Sequence, residues 1–174
     1  MHTTTKSFYI MKKLILVAAL SLAAAVCASA QDLSVLSKAA RMAYDWLANE
    51  GYKPTIDEDN DVEFKVQGEY FYIDNDTNDP TLLRFLVPNV YEVDFSDEDQ
   101  VMNALLTCNE FTRSKKLVSA AINRAGGVTF FASTYLAANN GDMSEFMETA
   151  IDFITRGIKS WLEIYNEMAA DEGD

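Results

Sequence analysis

The sequence predicts an α+β domain in which an antiparallel five-stranded sheet carries helices packed on it, in the order α-β-β-β-α-β-β-α. Three observations lead there. Segments with apolar residues at helical spacing open and close the mature chain and fall once in its middle. Segments with alternating apolar and polar residues lie between them, three and then two. The links within each strand group are short and rich in turn formers, which suits antiparallel neighbours joined by hairpins.

Residues 33–50 place Leu33, Leu36, Ala40, Ala43, Tyr44 and Leu47 at helical spacing, and Gly51 is a natural stop. "VEFKVQ" then alternates, with Val62, Phe64 and Val66 inward and Glu63, Lys65 and Gln67 outward. Gly68-Glu69 turns this strand into "YFYID", and "TLLRFLVP" follows as a third strand that Pro88 should end or place at an edge. The middle helix begins with Ser96 and Asp99 in capping-box spacing and closes near Lys115 and Lys116, which suit the negative end of its dipole. Its apolar face reads Val101, Leu105, Cys108, Phe111. Strands at 117–124 and 128–136 flank "AGG", where Gly126 and Gly127 permit the positive φ of a tight hairpin.

"NNGD" breaks the chain before a final helix from about Asp142 to Ala169. It carries two adjacent apolar rows: Met143, Met147, Ile151, Ile154, Ile158, Leu162 and Tyr165, then Phe146, Ala150, Phe153, Gly157, Trp161, Ile164 and Met168. A surface helix normally shows one narrower stripe. Cover on two sides is expected, with a homodimer supplying the second cover and Gly157 admitting the partner's backbone.

Ahead of this domain, Lys12 and Lys13 precede an apolar run from Leu14 to Val26 and the cleavage pattern Ala28-Ser29-Ala30. That is a secretory signal peptide over residues 1–30, and Met11 fits its n-region better than Met1 as a start. The run is short for a membrane span, and Val26 before Cys27 makes a poor lipobox. The single domain is then 31–174, and the expected location is periplasmic or secreted. Removing 30 of 174 residues takes away the only His and three of 14 basic residues but none of 27 acidic ones, leaving a net charge of −16. Such an acidic surface repels nucleic-acid phosphates and anionic lipid. Nothing in the mature chain is apolar enough to span a bilayer.

Function is harder to read. Without a mature His there is no Ser-His-Asp or Cys-His arrangement and no imidazole ligand for a metal. Cys108, on an apolar helix face, reads as a core thiol. The carboxylates fall in turns, caps and solvated faces, so a hydrolase working through them alone is set aside, and no Gly-rich phosphate loop occurs. No catalytic residue, cofactor or metal is expected. One alternative is calcium: Asp57, Asp59 and Asp61 in one loop and Asp74, Asp76 and Asn78 in the next offer oxygens at every second position. Both runs fail as EF-hand loops. Counting from Asp74, positions 6 and 12 are Asp79 and Phe85; counting from Asp57 they are Val62 and Gly68. Acidic turns stabilised by their own side chains are the preferred reading, with a weak calcium site joining both clusters as the alternative. Asn75-Asp76-Thr77 also matches a glycosylation sequon.

"LANEGYKPTIDEDNDVEFKVQGEYFYIDNDTNDPTLLRF" resembles the N-terminal half of YbjN-family domains, described as bacterial sensory-transduction regulators. "VMNALLTCNEFTRSKKLVSAAI" is similar to their middle helix, with Asn109 and Lys115-Lys116 ahead of a strand. The resemblance spans roughly residues 33–168. It implies a fold like that of type III secretion chaperones, which often dimerise and bind extended partner segments, and it implies no catalytic residues. The export signal departs from that family, whose members mostly work in the cytosol.

The expectation is therefore a non-enzymatic binding module of the cell envelope that recognises protein or peptide, with a regulatory or chaperone-like role and a homodimeric state. Its candidate contact residues are Tyr70, Tyr72, Phe153, Gly157, Trp161, Ile164 and Met168. The alternative is a sensor for a small molecule or calcium, using the acidic turns or a tyrosine-lined pocket.

Overall fold

A computed structural model describes residues 31–135 and 143–171. Residues 1–30, where a signal peptide is expected, and the "NNGD" break lie outside the described residues. Helix α1 (Lys38–Asn49) follows a single 3₁₀ turn at Leu33–Val35. Ser37 caps α1, its Oγ accepting from Ala40 N at 3.2 Å. Ala39, Ala40, Ala43 and Leu47 are wholly buried, so α1 lies close on the sheet through small side chains.

The strands are β1 (Thr55–Ile56), β2 (Val62–Val66), β3 (Glu69–Ile73), β4 (Leu82–Glu92), β5 (Ser119–Ile122) and β6 (Gly127–Tyr135). They form one antiparallel sheet in the order β1-β2-β3-β4-β6-β5, six strands where the sequence suggests five. The extra strand, β1, has two residues and is too short to show an alternating pattern. The connection is also not hairpins throughout: β4 pairs with β6, and β5 lies outside β6 at the edge.

The β2–β3 hairpin turns on Gln67 and Gly68, with φ of +52° and +99°. Two positive φ values in a two-residue link match a right-twisted hairpin. Pro88 does not end β4. The register with β6 shifts between Val87 and Tyr91, and Asn89 takes a φ of +57° there. A bulge leaves residues out of the ladder, so a proline without an N–H fits inside it. In the β5–β6 turn only Gly126 has positive φ, +94°. Gly127 is needed for space instead: a Cβ there would lie 1.9 Å from Asn89 Oδ1.

Helix α2 (Glu98–Ser114) is capped by Asp97, whose Oδ1 accepts from Gln100 N at 3.0 Å. The Ser96–Asp99 box does not form, because Ser96 is held by Asp94 through both its N and its Oγ. The buried face of α2 is Asn103, Ala104, Thr107, Cys108 and Phe111. Leu105 is half exposed, a correction to the expected face. Buried polar groups tie this face to the last helix: Asn103 Nδ2 donates to Tyr165 O at 3.2 Å.

Helix α3 (Ser144–Asp171) buries both of its apolar rows within the chain over much of their length. Met147, Ala150, Ile154 and Trp161 are wholly buried. Trp161 stacks on Tyr165, meets Tyr91 from β4, and touches Phe130 edge-on. The second cover expected from a partner molecule is supplied by α2 and the sheet.

Candidate functional site

The acidic loops resolve into turn chemistry. Asp57 Oδ1 accepts from Asp59 N at 3.0 Å and Asp61 N at 2.8 Å. Asp76 Oδ1 accepts from Asn78 N and Asp79 N in the same way. Asp61 Oδ1 takes Asn75 N at 2.8 Å, which joins the two loops, and Asp74 is paired with Arg84. Burial pushes the Asp61 carboxyl up, as do its neighbours Asp74, Asp57 and Asp59, while the bond from Asn75 works against that rise. Among the described residues no group of three His, Cys, Asp or Glu is arranged to hold a metal ion. The sequon residue Asn75 is structural here. Its Oδ1 accepts from Ser37 N and its Nδ2 donates to Val35 O, pinning the start of α1 to the β3–β4 loop.

Cys108 is buried, and desolvation pushes its thiol above the ordinary value, with Trp161 nearby acting in the opposite sense. That suits an inert core group, since the thiolate is the reactive form.

The candidate contact residues separate into four places. Trp161 and Gly157 are buried, so neither stands on the open surface. Ile164 and Met168 are half-buried, Ile164 against the core and Met168 with its sulfur 3.6 Å from Thr107 Oγ1. Phe153 remains exposed, with the Arg156 guanidinium 5.0 Å from its ring centre. It lines a cavity of about 360 Å³ between α3 and the segment that leaves α2, and Gly157 lies in the same wall.

Tyr70 and Tyr72 stand on the other face of the sheet. The inward residues of β2, β3, β4 and β6 all join one buried cluster with the helices. The alternate residues face away from it. Register across the strands aligns Glu63, Tyr72, Leu86, Phe131 and Ser119 in one row. All five are half-buried, and Leu86 and Phe131 stand outside the core cluster. Tyr72 OH donates to Glu63 Oε2 at 3.0 Å. Desolvation first, and then that bond, pushes the phenol up to about 12. Lys65 sits 4.1 Å over the Tyr70 ring, and Arg84 Nε on the same face is enclosed without an acceptor among the described residues. This row is an apolar strip with polar ends that no described helix covers. The sequence nominates its two tyrosines. Leu86 and Phe131 escape notice because only the β4–β6 register puts them side by side.

No protein-family model matches the chain, and no curated protein matches it. Two solved structures are similar at the level of overall shape. One is YbjN from E. coli, a proposed transcription regulator, at 14% identity and a TM-score of 0.44, covering 75% of this chain and 91% of that one. The other is an uncharacterized protein from Methanothermobacter thermautotrophicus at 9% identity and a TM-score of 0.48, covering 75% of this chain and 98% of that one. The likeness is distant. Among the described residues no helix is long and apolar enough to cross a membrane.

Proposed function

We propose that the protein is an exported, non-enzymatic binding module of the cell envelope that recognises a protein or peptide through the open face of its sheet. The observation that carries this reading is the strip Tyr72–Leu86–Phe131, three large half-buried side chains in register on the sheet face opposite the core cluster. Apolar surface arranged this way is what a partner segment buries. Glu63 with Tyr72 OH at one end of the strip, and Arg84 with Asp74 beside it on the same face, supply orientation. A regulatory or chaperone-like role is the form that the YbjN-family resemblance gives to such binding.

The test is a pull-down from envelope extract with the mature protein, compared with a Leu86→Glu, Phe131→Glu double variant. A partner captured by the first and lost by the second supports the reading. A catch that is identical for both, or empty for both, overturns it. The sensor alternative rests on the acidic turns. It is separated by a thermal-shift screen, where stabilisation by calcium or a metabolite would favour it over the protein binder.

Self-association belongs to the same proposal but moves to another surface. Met102, Leu105 and Leu106 on α2 are each about half exposed and lie at i, i+3 and i+4. A homodimer would bury this stripe in place of the second row of α3.

A further inference from the structure

The cavity beside α3 gathers three basic side chains on an acidic protein. The chain has 27 acidic and 14 basic residues, and the arginines on the helices each pair with a carboxylate three or four positions away: Arg41 with Asp45, Arg113 with Glu110, Arg156 with Asp152. Lys115 and Lys116 do not. Neither has a carboxylate within ion-pair distance among the described residues. Both line the cavity, along with Arg156. Lys115 Nζ donates to Ser160 Oγ at 3.2 Å, which leaves the serine's own proton to give to another acceptor.

Helix-end compensation is the plain explanation for the lysine pair, and its size can be weighed. The C-terminal end of a helix presents about half a negative charge. Two ammonium groups exceed that by about one and a half, and Arg156 is balanced by Asp152. A net positive rim therefore remains over walls that are otherwise apolar. Leu117 and Val118 form one side and the Phe153 ring the other, and the backbone of Gly157 adds to the wall.

We propose that this cavity binds a carboxylate carried on an apolar group, the head held by Lys115, Lys116 and Ser160 and the body seated between Phe153 and Val118. A volume of about 360 Å³ takes a single phenyl- or leucyl-sized body. A dianionic phosphate suits the site less well, because the one guanidinium that would grip it in bidentate fashion is already paired. The same head and body occur in a free aromatic or branched acid and in the C-terminal residue of a peptide. The site is independent of the sheet face, so either proposal can fail alone.

The experiment is amide-resolved NMR titration of the mature protein with 3-phenylpropionate, 3-phenylpropionamide, and a short peptide ending in leucine as free acid or as amide. The expected result is a saturable shift of the Val118, Gly157 and Ser160 amides with the acids, and binding at least about ten-fold weaker for the amides, the worth of one lost charged contact. Lys116→Glu should weaken the acids similarly, and Lys116→Gln less. Both changes are on an exposed side chain, and Lys65→Glu on the opposite face should leave binding unchanged. Tighter binding of the free acid identifies a small-molecule source, and tighter binding of the peptide acid identifies a C-terminus. Equal binding of acid and amide, no saturable shift, or indifference to Lys116→Glu overturns the proposal.

Discussion

Gly157 and Phe111 meet so closely that a Cβ on the glycine would lie 3.0 Å from the Phe111 ring edge at Cζ. Phe111 is wholly buried and held edge-on by Phe130, so the ring has little room to give. A glycine in mid-helix costs about 1 kcal/mol of helix propensity relative to alanine. Here that cost is accepted so that α3 can close on α2 and on Val118, just ahead of β5. The position serves contact within the chain, where the sequence alone suggests contact with a second molecule.

Gly157→Ala should therefore destabilise the protein although it favours the helix. Overpacking a tight core costs roughly 1–3 kcal/mol, against about 1 kcal/mol gained in propensity. A net loss near 1 kcal/mol lowers Tm by about 3–4 °C in a domain of this size. Differential scanning calorimetry checks it, and a raised Tm would show that Phe111 yields.

Cys108 should resist thiol reagents in the folded state and react at an ordinary rate once unfolded. Its burial and raised thiol pKa both reduce the exposed thiolate. Labelling with a maleimide across a urea gradient should follow the unfolding curve. Fast labelling in buffer would mean that α2 and α3 open.

Asp61→Asn should stabilise the protein at neutral pH. The folded-state pKa of Asp61 lies above its unfolded value of 3.8, so the native state holds this proton more tightly than the unfolded chain. The stability attached to the proton is complete below the unfolded pKa and is lost as pH rises through the folded one. The neutral amide oxygen keeps the bond from Asn75 without that loss. The advantage over the unaltered protein should be present at pH 7 and vanish toward pH 3. Melting curves across that range test it, and no gain at pH 7 contradicts the assignment.

Calcium should leave the melting temperature of metal-free protein unchanged, because Asp57 and Asp76 already accept two backbone N–H groups each through one oxygen. A calcium-dependent rise that Asp61→Asn abolishes would restore the ion site joining both loops.

Light scattering at micromolar concentration should give twice the mass of a mature chain, and Leu105→Glu with Leu106→Glu should return it to one. Both side chains are about half exposed, so the substitutions should leave the fold intact. A single-chain mass for the unaltered protein rules out the homodimer.

The sequence by itself determined what depends on neighbours along the chain. Alternation in "VEFKVQ" set which side of β2 is inward, and Val62 and Phe64 are buried as that period requires. Apolar spacing located three helices to within a few residues, and the turn expected at Gly68-Glu69 falls one residue earlier, at Gln67-Gly68. Local carboxylate chemistry explained both acidic loops, since these turn bonds join residues only two to four apart.

Tertiary structure decided what depends on which segments pair. That β4 chooses β6 over β5 is a long-range register. It alone brings Leu86 beside Phe131 on the open face and makes room for Pro88 in a bulge. It also decided which of two apolar rows on α3 would be surface, and the answer was mostly neither. A helix of 28 residues shows its hydrophobicity in the sequence but not what covers it, and here the large rings of Phe111, Phe130 and Tyr91 close over Gly157 and Trp161. The same packing leaves Lys115 and Lys116 beside Phe153, about forty positions away in the chain. Periodicity describes each helix singly, whereas a cavity between two elements exists only once both are in place.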